Sequence, residues 1–200
     1  MGNLQSVQNA FEVLGHEAHV ATTATQVASA RAIVLPGVGA FGAGIERLRS
    51  AGLVSALRRE VLDRDKPLLG ICLGMQWLAS HGSEHGHHEG LGLIPGRVER
   101  IFEPGAPQPL RIPHMGWNDV EVVQKDGIYS ELEAPVFYFV HSYAFVPDDP
   151  SVVSGVTHYG REIVASVRLG SITATQYHPE KSHRQGLAVL STWASALPPC

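Results

Sequence analysis

The residues of this chain best suited to covalent chemistry lie in Gly70-Ile71-Cys72-Leu73-Gly74, at the end of an apolar run that begins at Leu68. Small residues two positions either side of a nucleophile let a strand turn sharply into a helix and leave the side chain exposed at the strand's end. Here that side chain is a thiol. A helix N-terminus behind it would favour thiolate over thiol, and the amides of Leu73 and its neighbours could hold an oxyanion. A packing cysteine is the plainer reading of any lone Cys, but packing has no need of glycines at both flanks.

Near the C-terminus, Ile172-Thr173-Ala174-Thr175-Gln176-Tyr177 reads as a strand that ends in His178-Pro179-Glu180. Residues two apart in an extended segment project to one side, so His178 and Glu180 can sit together, with Pro179 stiffening the turn. A cysteine nucleophile needs a histidine to take its proton and return it to the leaving group, and a carboxylate to fix the imidazole tautomer. Alone, a His and a Glu after a strand describe a solvated loop. Beside the cysteine elbow they describe a base and its orienter. Pro36-Gly37-Val38-Gly39 occupies the carboxyl end of another expected strand, the edge where α/β sheets place ligands. It reads equally as an ordinary strand-to-helix turn or as backbone that completes an oxyanion hole with the amide of Leu73.

The elements that must hold these groups follow from periodicity. Leu4, Val7, Phe11 and Leu14 have helical spacing up to a stop at Gly15. Strands are expected at Ala18 to Ala21 and at Ala32-Ile33-Val34-Leu35, and Leu53, Leu57 and Val61 mark a helix before the strand leading to Cys72. This alternation predicts an α/β fold with an open, mostly parallel sheet flanked by helices. From Arg97 the pattern changes to short strands at Arg97 to Phe102, Asp119 to Val123, Val136 to Tyr143, Val152 to Thr157, Ile163 to Val167 and Ile172 to Gln176. A mixed or antiparallel, strand-rich second half is therefore expected, closed by a helix from Arg184 to Ala196.

At 200 residues, 44% of them hydrophobic, the chain suits a single domain over its whole length. A net charge of −4 without blocks of like charge argues against a nucleic-acid surface or a polybasic membrane patch, leaving small molecules or another protein as partners. No apolar run approaches the ~20 residues that cross a bilayer, and the first residues lack a signal pattern. The two cysteines, Cys72 and Cys200, make no disulfide framework, and a cytoplasmic location is expected. His81, His85, His87 and His88 invite a metal reading, but their Gly- and Glu-containing setting, without cysteine or aspartate, describes a flexible surface loop. No metal or cofactor is expected.

Gly70-Ile71-Cys72-Leu73-Gly74-Met75-Gln76 together with Gln176-Tyr177-His178-Pro179-Glu180-Lys181-Ser182 resembles the class I (triad) glutamine amidotransferases. Within that class, four more stretches resemble the members that serve imidazole glycerol phosphate synthase: Pro36 to Gly42, Gly90 to Gly96, His114-Met115-Gly116-Trp117-Asn118, and Tyr138-Phe139-Val140-His141-Ser142-Tyr143. The resemblance implies a flavodoxin-like fold and a glutaminase. Cys72 would attack the side-chain amide of L-glutamine, His178 would shuttle the proton and Glu180 would orient His178. The amide of Leu73 and one from Gly37, Val38 or Gly39 would stabilise the oxyanion. Gln76 and the Ser142-Tyr143 backbone would help seat glutamine. Ammonia would pass to a cyclase (β/α)8-barrel partner in a heterodimer, with Trp117, Tyr138 and Lys181 at the interface, and glutaminase activity would be weak until that partner binds its ribotide.

Without the resemblance, Trp117 and Tyr138 would be taken for core aromatics and Lys181 for a solvated lysine. Another synthase's glutaminase, of anthranilate or guanylate type, and a non-catalytic partner-binding module are the alternatives. Two departures accompany the resemblance. The family opens on a short apolar strand ahead of Met-Gly-Asn-Leu, so the native start is expected upstream of Met1, and Ala144 stands where an aromatic is frequent.

Overall fold

In a computed structural model, which describes residues 4–102 and 110–198, the chain alternates helices and strands through its first half. In chain order the elements of that half are α1 (Leu4–Val13), α2 (Ala24–Ser29), β1 (Ile33–Gly37), α3 (Phe41–Ser50), α4 (Leu53–Arg58), β2 (Leu68–Cys72) and α5 (Leu73–Gln76). Strands then dominate: β3 (His81–Gly82), β4 (His88–Glu89), β5 (Gly96–Arg100), β6 (His114–Asp119), β7 (Glu121–Val122), β8 (Val136–His141), β9 (Tyr143–Pro147), β10 (Val153–His158), β11 (Glu162–Leu169) and β12 (Ile172–Thr175), before α6 (His183–Ser195) closes the chain. The expected upstream strand and Cys200 lie outside the described residues.

A six-stranded sheet in the order β1-β2-β12-β11-β10-β7 carries the fold. Its first three strands are parallel, with Ile33 and Ile172 both opposite Leu68, and the remaining pairings are antiparallel. Every residue of β2 is buried, because helices cover both sheet faces and side chains alternate between them. Leu68 joins Ile33, Leu35, Ile172 and Ala174 beneath α3 and α4, where Phe41, Ile45 and Leu57 pack. Leu69 and Ile71 point the other way, to Val7 and Phe11 of α1 and Val189, Leu190 and Trp193 of α6. Phe11 meets Trp193 edge to face, with ring centroids 6.0 Å apart.

Several expectations are corrected. Ala18 to Ala21 forms no strand, since among the described residues no strand pairs with the outer edge of β1 and a lone extended segment has no ladder to join. A groove of about 530 Å³ runs along that edge, lined by Val7, Phe11, Val20, Ile33 and Val34 among others. The helix after Cys72 is a single turn, so its dipole is small. The strand expected at Asp119 begins at His114 and breaks into β6 and β7, which belong to different sheets.

The histidine-rich segment is not a loose loop. β3 pairs with both β4 and β5, and a Glu84 carboxylate oxygen accepts from the Phe41 amide at 2.6 Å, capping α3. Among the described residues, no group of three or more His, Cys, Asp or Glu side chains is gathered in a way that could hold a metal ion.

Candidate active site

Cys72 ends β2 with φ 55° and ψ −111°, a left-handed backbone that a non-glycine residue adopts only where its surroundings enforce it. The flanking glycines do the enforcing. A Cβ on Gly74 would sit 1.7 Å from the Leu35 carbonyl oxygen, and one on Gly70 would press on Ala174 and the Met75 backbone at 3.0 to 3.1 Å. Only bare backbone lets the chain reverse between β1 and β12. Leu73 opens α5, so its amide is one of the donors that a helix start leaves without an intrahelical acceptor. Gly37 stands opposite Cys72 in the parallel register, and a Cβ there would strike Leu73 and the Trp77 ring at 2.9 Å. Beyond it, Val38 is exposed and Gly39 has φ +99° with open space around it.

The strand on the other side of β2 delivers the second group. β12 runs parallel to β2 up to Thr175 opposite Ile71, and the chain continues to His178, buried at the same sheet edge. His178 Nδ1 donates to Glu180 Oε1 at 2.7 Å, from a short 3-10 turn at Pro179–Lys181. Burial alone would push the His178 imidazole down, but hydrogen bonds to Cys72 and Glu180, reinforced by the negative charge of both, hold its proton and push it up to about 9. A cysteine sulfur on a strained elbow, its proton held by an imidazole that a carboxylate orients, can act as a nucleophile with a proton donor in place for the leaving group.

Gln76, on α5, is almost wholly buried, and its Nε2 donates to the Tyr143 carbonyl at 2.8 Å and to Gln176 Oε1 at 3.0 Å. Both its N–H donors are therefore committed, one of them to the Gln176 side chain that reaches toward the thiol. The Ser142 carbonyl accepts from the Ile101 amide at 3.0 Å, which anchors the 142–143 backbone to the end of β5.

The three residues expected at a partner interface lie around the β6–β8 pair and the turn after His178. Trp117 is 49% exposed and so is no core aromatic; its ring is 6.1 Å from Tyr138, its cross-strand partner, and stacks on His183 at 4.9 Å. Met115, on the same face of β6, is also exposed, and Lys181 is exposed beside His183.

With this geometry in place, comparison with known proteins is decisive. The family described as Glutamine amidotransferase class-I matches residues 2–193. The chain belongs to that family. Among class-I amidotransferases it is 45% identical over 198 residues to the imidazole glycerol phosphate synthase subunit HisH of Syntrophotalea carbinolica, covering 96% of this chain and 95% of that protein. It is 46% identical over 196 residues to the HisH subunit of Rhodopirellula baltica, covering 98% and 94%. A solved glutamine amidotransferase superposes with a TM-score of 0.74 at 23% identity over 95% of this chain and 92% of its own, a likeness of fold.

One residue of this amidotransferase site escaped the sequence reading. Gln176, fully buried, has its amide oriented by Gln76, so that its Nε2 donates toward Cys72 Sγ at 3.7 Å. The signal was present: a large amide side chain where a strand of small and β-branched residues reaches the ligand-bearing edge of the sheet.

Proposed function

We propose that the chain is the glutaminase subunit of an imidazole glycerol phosphate synthase, releasing ammonia from L-glutamine for a cyclase barrel partner in histidine biosynthesis. The Cys72 sulfur, its proton passed to His178, attacks the side-chain carbonyl carbon, and the developing oxyanion is held by the amide of Leu73 and one from Gly37, Val38 or Gly39. As the C–N bond breaks, His178 gives its proton to the departing nitrogen, leaving a thioester and ammonia. His178 then takes a proton from water, which attacks the thioester and returns glutamate and the thiol. Glu180 keeps the imidazole in the tautomer that faces the sulfur. Ammonia goes to the partner, which forms imidazole glycerol phosphate and an aminoimidazole carboxamide ribotide.

The observation that carries this reading is the 2.7 Å bond from His178 to Glu180, in the turn that follows the strand directly beside the strained Cys72 elbow. Similarity to HisH subunits at 45% identity supports the choice of synthase. Trp117, Tyr138 and Lys181 are assigned to the barrel interface, supported by an exposed tryptophan on a short two-stranded sheet. The freedom of Gly39 and the exposure of Val38 suit a segment that turns its amides only when the partner is engaged, so the isolated chain is weakly active.

The test is co-production with a candidate cyclase subunit, measuring ammonia-dependent product with glutamine as donor and labelling by a glutamine-mimicking diazo ketone. Labelling at Cys72, lost in Cys72→Ser, is expected. An unmodified Cys72 in a complex that makes product from free ammonia would overturn the reading.

A further inference from the structure

The small sheet of β6 and β8 has two faces with different duties. Outward, Trp117 pairs with Tyr138 and Met115 with Val140. Inward, His114 stands directly across from His141, and both are buried. Neither histidine has a part in the chemistry assigned above.

Their hydrogen bonds form a chain whose direction is fixed at both ends. Asn118 cannot be flipped, because its Oδ1 accepts from the Asp119 amide at 2.9 Å and its Nδ2 donates to the His158 carbonyl at 2.9 Å. The same Nδ2 lies 3.2 Å from His114 Nε2, which must therefore accept. The His114 proton then resides on Nδ1 and points at His141 Nε2, 3.1 Å away. His141 in turn carries its proton on Nδ1 and donates to the Tyr143 carbonyl at 2.9 Å, since a carbonyl can only accept. That carbonyl is the one that also holds Gln76. Protonating either ring would set two donors against each other, and burial does keep both neutral, pushing His114 to about 4 and His141 to about 3. Rotation is blocked as well: the His114 ring is sandwiched between Phe139 at 4.8 Å and Tyr159 at 4.1 Å.

We propose that His114 and His141 are positioning residues that lock the Tyr143 carbonyl, and with it the Ser142-Tyr143 seat for glutamine, to the strand that presents Trp117 to the partner. This rests on the glutaminase reading and adds to it a physical link between the partner face and the substrate seat. A chain of single-direction bonds through packed rings transmits a shift of β6 to Tyr143 without a moving loop.

The experiment uses the complex with the barrel partner. His141→Phe keeps a ring but removes both bonds, and is expected to raise KM for glutamine about five- to tenfold with a smaller effect on kcat, and to reduce the stimulation by the partner. His141→Asn, which retains a donor near Tyr143, should recover most of the KM while leaving stimulation impaired, because the link to His114 is still cut. Histidine ring nitrogen shifts in the parent chain should show both His114 and His141 as the neutral Nδ1–H tautomer through neutral pH. A His141→Phe variant with unchanged KM and stimulation, Asn no better than Phe, or an Nε2–H tautomer at either ring would overturn the relay while leaving the glutaminase reading intact. A parent complex without glutaminase activity would instead overturn that reading, and the ring tautomers would still report whether the relay exists.

Discussion

The backbone carbonyl of Tyr138 accepts a hydrogen bond from the amide of His178 at 3.0 Å, so the strand paired with the exposed Trp117 also holds the main chain of the proposed general base. The bond is seconded by Ser182, whose Oγ accepts from the Tyr138 amide at 3.0 Å and donates to the His178 carbonyl at 2.6 Å. Pressure on the Trp117–Tyr138 face thus meets backbone that belongs to the site. Trp117→Ala should weaken association with the barrel subunit by ~1–3 kcal/mol, measured by titration calorimetry, because an exposed aromatic in a docking patch is a typical anchor. The isolated chain's own stability should change by less than ~0.5 kcal/mol, as expected of a half-exposed side chain.

His178 sets an alkaline limit. With its proton held up to about 9 against an ordinary value of 6.5, glutaminase kcat/KM in the complex should stay level through neutral pH and fall as pH rises through about 9, where the donor for ammonia is lost. Glu180→Gln removes one of the groups that hold that proton. Its alkaline limb should move to lower pH, and kcat should drop by roughly 10²–10⁴-fold. Stability follows the same sign: the contribution of His178 is fully present below pH 6.5 and fades as pH rises through about 9, which melting temperatures of inactive Cys72-intact complexes across that window would record.

Gly74 should tolerate nothing larger. Its would-be Cβ meets backbone at 1.7 Å, so Gly74→Ala must displace β1 or α5, and a loss on the order of 3–5 kcal/mol is expected in chemical denaturation. Gly39→Ala meets no atom within 4 Å and suffers only its φ of +99°, so its stability cost should be smaller, on the order of 1–3 kcal/mol.

The open outer edge of β1 predicts its own completion. An apolar groove of about 530 Å³ beside unpaired strand backbone is a place where an added strand gains ladder bonds and buries side chains. Appending a short alternating apolar segment to the N-terminus should raise the melting temperature, read by thermal denaturation against the unextended chain. An unchanged melting temperature would show that the edge gains nothing from an added strand.

What could be read from the sequence was the local chemistry and the period. Glycines at 70 and 74 announced an elbow because small residues flank a strand-to-helix turn that exposes a nucleophile, and Ile172 to Thr175 announced a strand because its residues are apolar or β-branched. The spacing His178-x-Glu180 located a bonded pair. Gln176 and the His114–His141 pair stayed hidden because their roles depend on contacts between residues as far as 104 positions apart, as in Gln176 with Cys72. The Ala18 to Ala21 segment misled for the same reason: its composition suits a strand, but a strand exists only where a neighbour supplies its hydrogen bonds. Trp117 was exposed rather than buried because β6 sits in a sheet of two strands with one face uncovered.

The thiol ends one parallel strand and the imidazole follows three residues past the end of its neighbour, where hydrogen bonds to the Tyr138 carbonyl and the Ser182 hydroxyl hold its main chain, so the gap between them is fixed by sheet and turn together. Such a pair has no private way to fail. Heating should leave the two groups aligned until the central strands melt, so inactivation and global unfolding should coincide, and any control short of unfolding must fall on the peptide groups around the sulfur instead of on the distance to its base.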